Sequence, residues 1–307
     1  MVGGYLLIST LAYAFPYRPA AWPLLMAVHV GLGFVLLTGR LEPLRQRGRA
    51  GPAGVPRVLR TALGHLADWY PLILLPLLYW ELPLLNRAIW GGNYFDLLVQ
   101  GWEVAVFGGQ PSVTMSHRWS SLLLSETLHL AYLSYYPILY VFPGVVYALR
   151  GREAFLDTLF GMMLGFAVHY AIFIVFPVKG PYFVFPAPGE PQSTGALYQT
   201  VQFVLGTGAS AGTAFPSSHV AISTVQATNA ARHLRAAVPI LAVCALGIAV
   251  GAVYAGIHYA VDVVVGLGTG LAVGLLVPAV RSRLRCPSNE PADGAGTGAA
   301  GAGHHPG

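Results

Sequence analysis

With 55% hydrophobic and only 9% charged side chains over 307 residues, the chain has far fewer ionisable groups than the about 25% of an ordinary soluble domain. That excludes a water-soluble globule and predicts an all-α, polytopic membrane helical bundle. The net charge of +5 is read first as an orientation device, because arginine excess marks the cytoplasmic loops of membrane proteins; no nucleic-acid partner is expected. Cys244 and Cys286 form neither a disulfide framework nor a zinc spacing.

Taken in order, Met1 to Phe15 is apolar without a basic leader, which fits a short first span better than a cleaved signal. Ala20 to Leu37 is long enough to cross the hydrocarbon core and precedes a loop with Arg40, Arg45, Arg47, Arg49, Arg57 and Arg60. Thr61 to Leu82 returns outward. Asn93 to Met115, broken by Gly108-Gly109-Gln110-Pro111, is amphipathic and too short and polar to span, so it is expected along the outer surface. Leu122 to Leu149 crosses to Arg150 and Arg152, and Phe155 to Phe176 crosses back to a Gly- and Pro-rich loop, Pro177 to Ala211, of a length that favours function or disorder.

Two further helices follow, about His219 to Leu234 and Val238 to Ile257, and a last span, Val261 to Val280, ends at Arg281, Arg283 and Arg285. This path puts thirteen of the 17 cations on one side. The expected organisation is one transmembrane catalytic domain, 1–284, with its core over 155–280 and about six to eight spans. Residues 285–307, rich in Gly, Ala and Pro, are expected to be a disordered cytoplasmic tail, within which His304-His305 is weak as a metal site.

The chemistry concentrates in Phe215-Pro216-Ser217-Ser218-His219 and His258-Tyr259-Ala260-Val261-Asp262. A helix and its return separate His219 from His258, so both histidines are expected at one membrane face. Asp262, four residues after His258, shares a helical face with it and can hold one ring nitrogen protonated. The other is then free to attack. A carboxylate in the apolar run Ala245 to Pro278 costs on the order of 3 kcal/mol to insert and needs a partner; His258 is the obvious one. Phosphoryl transfer through a covalent intermediate needs a nucleophile, an acid and donors for the phosphoryl oxygens. His258, His219 and a helix N-terminus near Pro216, with Ser217 and Ser218, are candidates for these roles; Lys179, the only lysine, can supply charge. The plainer reading makes Ser217 and Ser218 caps and Lys179 a snorkelling residue. The imidazoles are predicted about 4 to 8 Å apart across a phosphate-sized gap.

These motifs, with Lys179-Gly180-Pro181 upstream, resemble the type-2 phosphatidic acid phosphatase superfamily, membrane phosphatases and phosphotransferases with a six-helix core. Phe107-Gly108-Gly109-Gln110-Pro111-Ser112 and the run Ser125-Glu126-Thr127-Leu128-His129 to Tyr135-Tyr136 are similar to its inositolphosphotransferase-type branch, which includes inositol phosphorylceramide synthase-type enzymes. The resemblance implies His258 as nucleophile, His219 as acid, Asp262 as orienter, and Lys179, Gly180, Ser217 and Ser218 around the phosphate. Two departures stand out. Pro186-Ala187 and Gly251-Ala252 occupy places where the phosphatase pattern has arginines, and Ser218 replaces its usual glycine. Without those arginines the site is better matched to a singly charged phosphodiester than to a dianionic monoester; Arg118, His117 and Glu126 are candidates to substitute in space.

The expected function is that of a metal-independent, cofactor-free lipid phosphatase or phosphotransferase working through a phosphohistidine at the extracytoplasmic face of the cell membrane. Its partners would be a phospholipid or lipid phosphate and, in the transferase variant, a polyol or lipid alcohol acceptor. A lipid transporter or scramblase using His and Asp as a proton relay, and an inactive lipid-binding relative, are the competing classes.

Overall fold

The computed structural model describes the backbone of residues 57–284 and a few isolated positions upstream. The expected spans Met1 to Phe15 and Ala20 to Leu37, most of the first arginine loop and the tail after Leu284 lie outside the described residues. The described chain is helical: α1 (Arg57–Trp90), α2 (Asp96–Phe107), α3 (Pro111–Arg118), α4 (Leu122–Leu133), α5 (Tyr135–Val175), α6 (Pro181–Val184), α7 (Ala196–Gly208), α8 (Ser218–His233), α9 (Val238–Tyr254) and α10 (Ala260–Leu284). It folds as one compact unit up to Val277; the second unit begins at Pro278.

Four stretches are long and apolar enough to cross a bilayer: Asp68–Trp90, Leu122–Val175, Arg235–Tyr254 and Ala260–Arg283. The longest contains α4 and both arms of α5, which are joined at a kink where Gly151 adopts φ 80°. The expected six to eight spans are therefore not reached among the described residues. Part of the difference lies upstream of Arg57, and part lies in α8, which has 16 residues and a polar composition. Two sequence boundaries also shift. α1 runs on through Pro71, Pro76 and Pro83 to Trp90, proline being tolerated where neighbouring helices re-satisfy the backbone. The 177–211 loop is substantially ordered, with α6, the turn Gln192–Thr194 and α7.

α8 explains the arrangement of the bundle. Its polar side chains could not face lipid, and they are buried: Gln226 donates to Ile138 O at 3.2 Å and Asn229 to Thr158 O at 3.2 Å, both on α5. Lipid-facing exposure falls instead to helices such as α9, where Ile240, Val243 and Leu246 are all exposed. α10 approaches α8 through a glycine stripe. A Cβ on Gly266 would meet Ser217 O at 2.6 Å, while Gly270 and Gly274 stand against Ala221 and Thr228 of α8; small residues of this kind let helix backbones approach in membranes.

The two ends of α8, roughly 24 Å apart for a helix of this length, differ in chemistry. At its C-terminal end Arg150 donates to His233 O at 2.8 Å, His233 meets Asp157 at 2.7 Å and Arg152 makes a bidentate pair with Asp68 at 2.6 Å. Its N-terminal end carries His219.

The glycine stripe yields a paired prediction. Gly266→Ala should destabilise the detergent-solubilised protein by about 1–3 kcal/mol, the usual cost of overpacking. Gly268→Ala, where a Cβ meets nothing within 4 Å, should be neutral or slightly stabilising. Thermal unfolding of both variants is the measurement, and equal melting temperatures would show that the α8–α10 approach tolerates a side chain.

Candidate active site

The site forms where three chain reversals meet. Lys179-Gly180 leaves the end of α5, Phe215 to His219 opens α8, and His258 lies in the turn between α9 and α10. Backbone bonds join them: Ala214 N–H donates to Val178 O at 2.9 Å, and Ser217 N–H to Asp262 O at 2.9 Å. Gly180, at φ 89°, fits between Ala214 and the Ile257 carbonyl, where a Cβ would stand 2.8 and 2.9 Å from them. No other residue combines that φ with that space.

His258 Nε2 faces His219 Nδ1 at 3.5 Å, with ring centroids 5.6 Å apart and planes inclined by 62°. The centroid separation falls within the expected interval, but the facing nitrogens are too close to leave the expected phosphate-sized gap directly between them. Behind His258, Asp262 Oδ2 lies 3.4 Å from Nδ1, beyond a formed hydrogen bond. Asp262 is fully buried, and the same oxygen accepts the Tyr259 N–H at 2.8 Å. His258 Nδ1 and Asp262 Oδ1 have no hydrogen-bond partner. Burial pushes the His258 imidazole down to about 4, a backbone contact to Ala214 opposing the shift. The ring is thus neutral at physiological pH, the form in which a nitrogen lone pair can attack.

Around the pair is a cavity of about 230 Å³, lined by both histidines, Lys179, Ser218 and seven tyrosines, Tyr182 among them. Lys179 rests its Nζ over the Tyr94 ring, 4.6 Å from the centroid. The two serines divide. Ser218 lines the cavity, whereas Ser217 is buried and its hydroxyl accepts the Val220 N–H as the α8 cap, as the plainer reading held. The proposed substitutes for the missing arginines lie elsewhere. Glu126 accepts from the Leu197 and Tyr198 amides at 3.0 Å, capping α7. His117 lines a separate small pocket, and Arg118 lines neither.

Other residues to which the sequence assigned no role in the site hold it together. Asp96, at the start of α2, accepts from Lys179 N and Gly180 N at 3.0 Å and from the Tyr259 hydroxyl at 3.1 Å. One turn pair later Glu103 accepts the Val261 N–H at 2.8 Å; its carboxyl is raised, first by burial. Tyr132 of α4 meets His219 Nε2 at 3.1 Å, and the Tyr135 ring packs 4.4 Å from the His219 ring. A signal for the first two was present: carboxylates seven apart share a helical face, and two on one face of an amphipathic membrane segment need partners.

The described residues are helical with several candidate spans, and His219 meets the buried His258 and Asp262 at one end of a central helix. A family model of the PAP2 superfamily matches residues 111–276, more than half of the chain and all three of these residues, and the protein belongs to that superfamily. No curated protein and no solved structure matches the chain.

Asp96→Asn replaces one acceptor oxygen by an NH2 that confronts backbone donors. Leaving such a donor unsatisfied costs about 1–3 kcal/mol, which should appear as a roughly ten- to hundredfold loss of turnover through a displaced Lys179 loop. Activity assays beside melting curves test this, and unchanged turnover would remove Asp96 from the site's support.

Proposed function

We propose that the protein is an integral-membrane phosphotransferase or phosphatase acting on a lipid phosphoryl group, with a monoanionic phosphodiester as the favoured substrate. The observation that carries the reading is the pair of histidines facing each other over one cavity, each with its far nitrogen turned to a polar partner, Asp262 behind His258 and Tyr132 behind His219. His258 Nε2 attacks phosphorus as His219 Nδ1 gives its proton to the leaving oxygen, which keeps the bond electrons. Water or an alcohol then attacks the phosphohistidine, returns a proton to His219 and restores His258. Lys179, the one Lys or Arg among the described residues lining the cavity, neutralises a single negative charge. A dianionic monoester would leave the second unmatched, which is the reason for preferring a diester and head-group transfer to a polyol or lipid alcohol. The arginine-rich contacts gather at the other end of α8, and by the positive-inside rule the histidines face the extracytoplasmic side.

Labelled phospholipids and lipid phosphates, offered with and without inositol or diacylglycerol, test the reaction directly. His258→Ala should abolish both turnover and acid-labile labelling of the protein. Asp262→Asn should fold and lose several orders of magnitude, as when an orienting carboxylate becomes an amide; near-normal turnover would make that pair structural. Lys179→Ala should cost roughly ten- to a thousandfold, on the scale of one lost oxyanion donor.

A pH profile adds an independent check. Because burial lowers the His258 pKa, the neutral nucleophile persists below pH 6.5 and is lost only as pH falls towards about 4; an inactivating step near 6.5 assigned to His258 would contradict the reading. Asp96, Glu103 and Asp262 each accept backbone N–H groups from the surrounding loops, so turnover should also persist in EDTA; silencing by EDTA with recovery in magnesium would reassign those carboxylates.

A further inference from the structure

The histidine assigned as acid lacks a carboxylate in its own motif, where Ser217-Ser218-His219 contrasts with His258 and its Asp262. Its far nitrogen is nonetheless engaged. The Tyr132 hydroxyl, 87 positions upstream, stands 3.1 Å from His219 Nε2. Tyr132 is itself buried, its ring lies 5.2 Å from the imidazole, and the Tyr135 ring closes a second side at 4.4 Å. His219 is thus held in one orientation, with Nε2 on the phenol and Nδ1 on the phosphate side, 3.5 Å from the nucleophilic nitrogen.

We propose that Tyr132 is the positioning residue of the acid, its hydroxyl reserving His219 Nε2 so that Nδ1 alone exchanges the proton with the leaving and attacking oxygens. The inference rests on the phosphoryl-transfer reading above. With phosphate bound, the anion favours the imidazolium, and Nε2–H donates to the phenol oxygen. As the His258–phosphorus bond forms and the phosphorus–oxygen bond breaks, the Nδ1 proton moves to the departing alkoxide. His219 is left neutral, Nε2–H still on Tyr132, with an Nδ1 lone pair pointing at the phosphorus. That lone pair takes the proton of the incoming hydroxyl in the second half, as the phosphorus–nitrogen bond breaks, and the imidazolium returns. A hydroxyl serves this two-way role better than a carboxylate would. A negatively charged partner stabilises the imidazolium and so weakens it as an acid, which suits an orienter of the nucleophile but not of the group that must surrender its proton. The phenol oxygen accepts the Nε2–H in both states of His219, so the ring keeps its orientation through the cycle. The flanking tyrosine faces attract the transient cation without fixing a charge beside it.

The test compares two esters of one hexadecyl phosphate, with an ethyl or a p-nitrophenyl leaving group, on full-length wild type and Tyr132→Phe of matched melting temperature. An alkoxide needs an acid to leave, whereas p-nitrophenolate does not. Tyr132→Phe should therefore lose roughly ten- to a hundredfold in kcat/KM, which reports the leaving-group step and not the second half common to both esters, on the ethyl ester, part of the usual worth of general acid catalysis, and stay within about twofold on the aryl ester. In 15N spectra of histidine-labelled protein, His219 should pass from one tautomer to a mixture. An equal fall on both esters, no fall on the ethyl ester, or an unchanged His219 tautomer each overturns the proposal. If wild type cleaves neither ester, the phosphoryl-transfer reading itself fails for these substrates, and the tautomer measurement decides the Tyr132 contact by itself.

Discussion

The backbone hydrogen bond from Ser217 N–H to the Asp262 carbonyl, 2.9 Å long, is the constraint from which the site follows. It ties the last residue before α8 to the first turn of α10, so the two histidine-bearing segments cannot separate without breaking it. Such a bond requires two helix ends to come within backbone contact inside a membrane protein. Gly266, Gly270 and Gly274 make that approach sterically open. The same junction places Asp262 where the partial positive charge of a helix N-terminus meets its carboxylate and where the Tyr259 amide is directed at it. A fully buried acid thereby gains some of the solvation that the bilayer denies it.

α2 extends this logic with an amphipathicity turned inside out. Leu97, Val104 and Val106 are exposed, whereas Asp96, Val99 and Glu103 are buried. In water this would be an unstable way to place a helix; at a membrane surface the apolar face has lipid to meet, and the acidic face becomes available as a brace. The two carboxylates reach both catalytic loops. Asp96 gathers the Lys179 and Gly180 amides and the Tyr259 hydroxyl, and Glu103 holds the amide of Val261. Since each carboxylate takes amides from segments distant in sequence, α2 fixes the distance between the lysine loop and the histidine turn.

What the sequence revealed and what it concealed divide along a physical line. Helix reversal suffices to bring His219 and His258 to one end, because two consecutive antiparallel helices return the chain to its starting level. The four-residue spacing of His258 and Asp262 predicts one shared helical face, whereas α10 begins only at Ala260 and the turn before it brings Nδ1 to 3.4 Å from Asp262 Oδ2 without a formed hydrogen bond. The supporting contacts are different. Asp96 and Tyr132 touch the motifs across separations of 83 and 87 residues, which no local periodicity encodes, and the reading of Asn93 to Met115 as a surface segment located the helix without saying which face it buried. α8 was expected as an apolar span and is instead a polar helix sheltered by its neighbours. Helix α7 was hidden in a stretch whose glycines and prolines read as loop, its N-terminus being supplied by Glu126 from α4.

The tyrosines bear on why so few cations suffice. Phosphatase sites commonly gather arginines because a dianion in a low-dielectric pocket must be matched by formal charge. Here the cavity offers Lys179, the imidazoles and phenols, those of Tyr135, Tyr136 and Tyr140 among them. Neutral donors stabilise a single delocalised negative charge without the desolvation cost of burying several cations. They also leave a singly charged ligand free to depart once transfer is complete. On the proposed function, a site built this way suits a monoanion better than a dianion, and the absence of arginines at Pro186-Ala187 and Gly251-Ala252 is what that proposal expects. At Gly251, which stands where the pattern's Ser-Arg pair has its serine, a Cβ would stand 2.5 Å from the Leu128 carbonyl. The close α4–α9 packing that brings Tyr132 towards His219 therefore depends on a glycine at the serine place of that pair, one residue before the missing arginine.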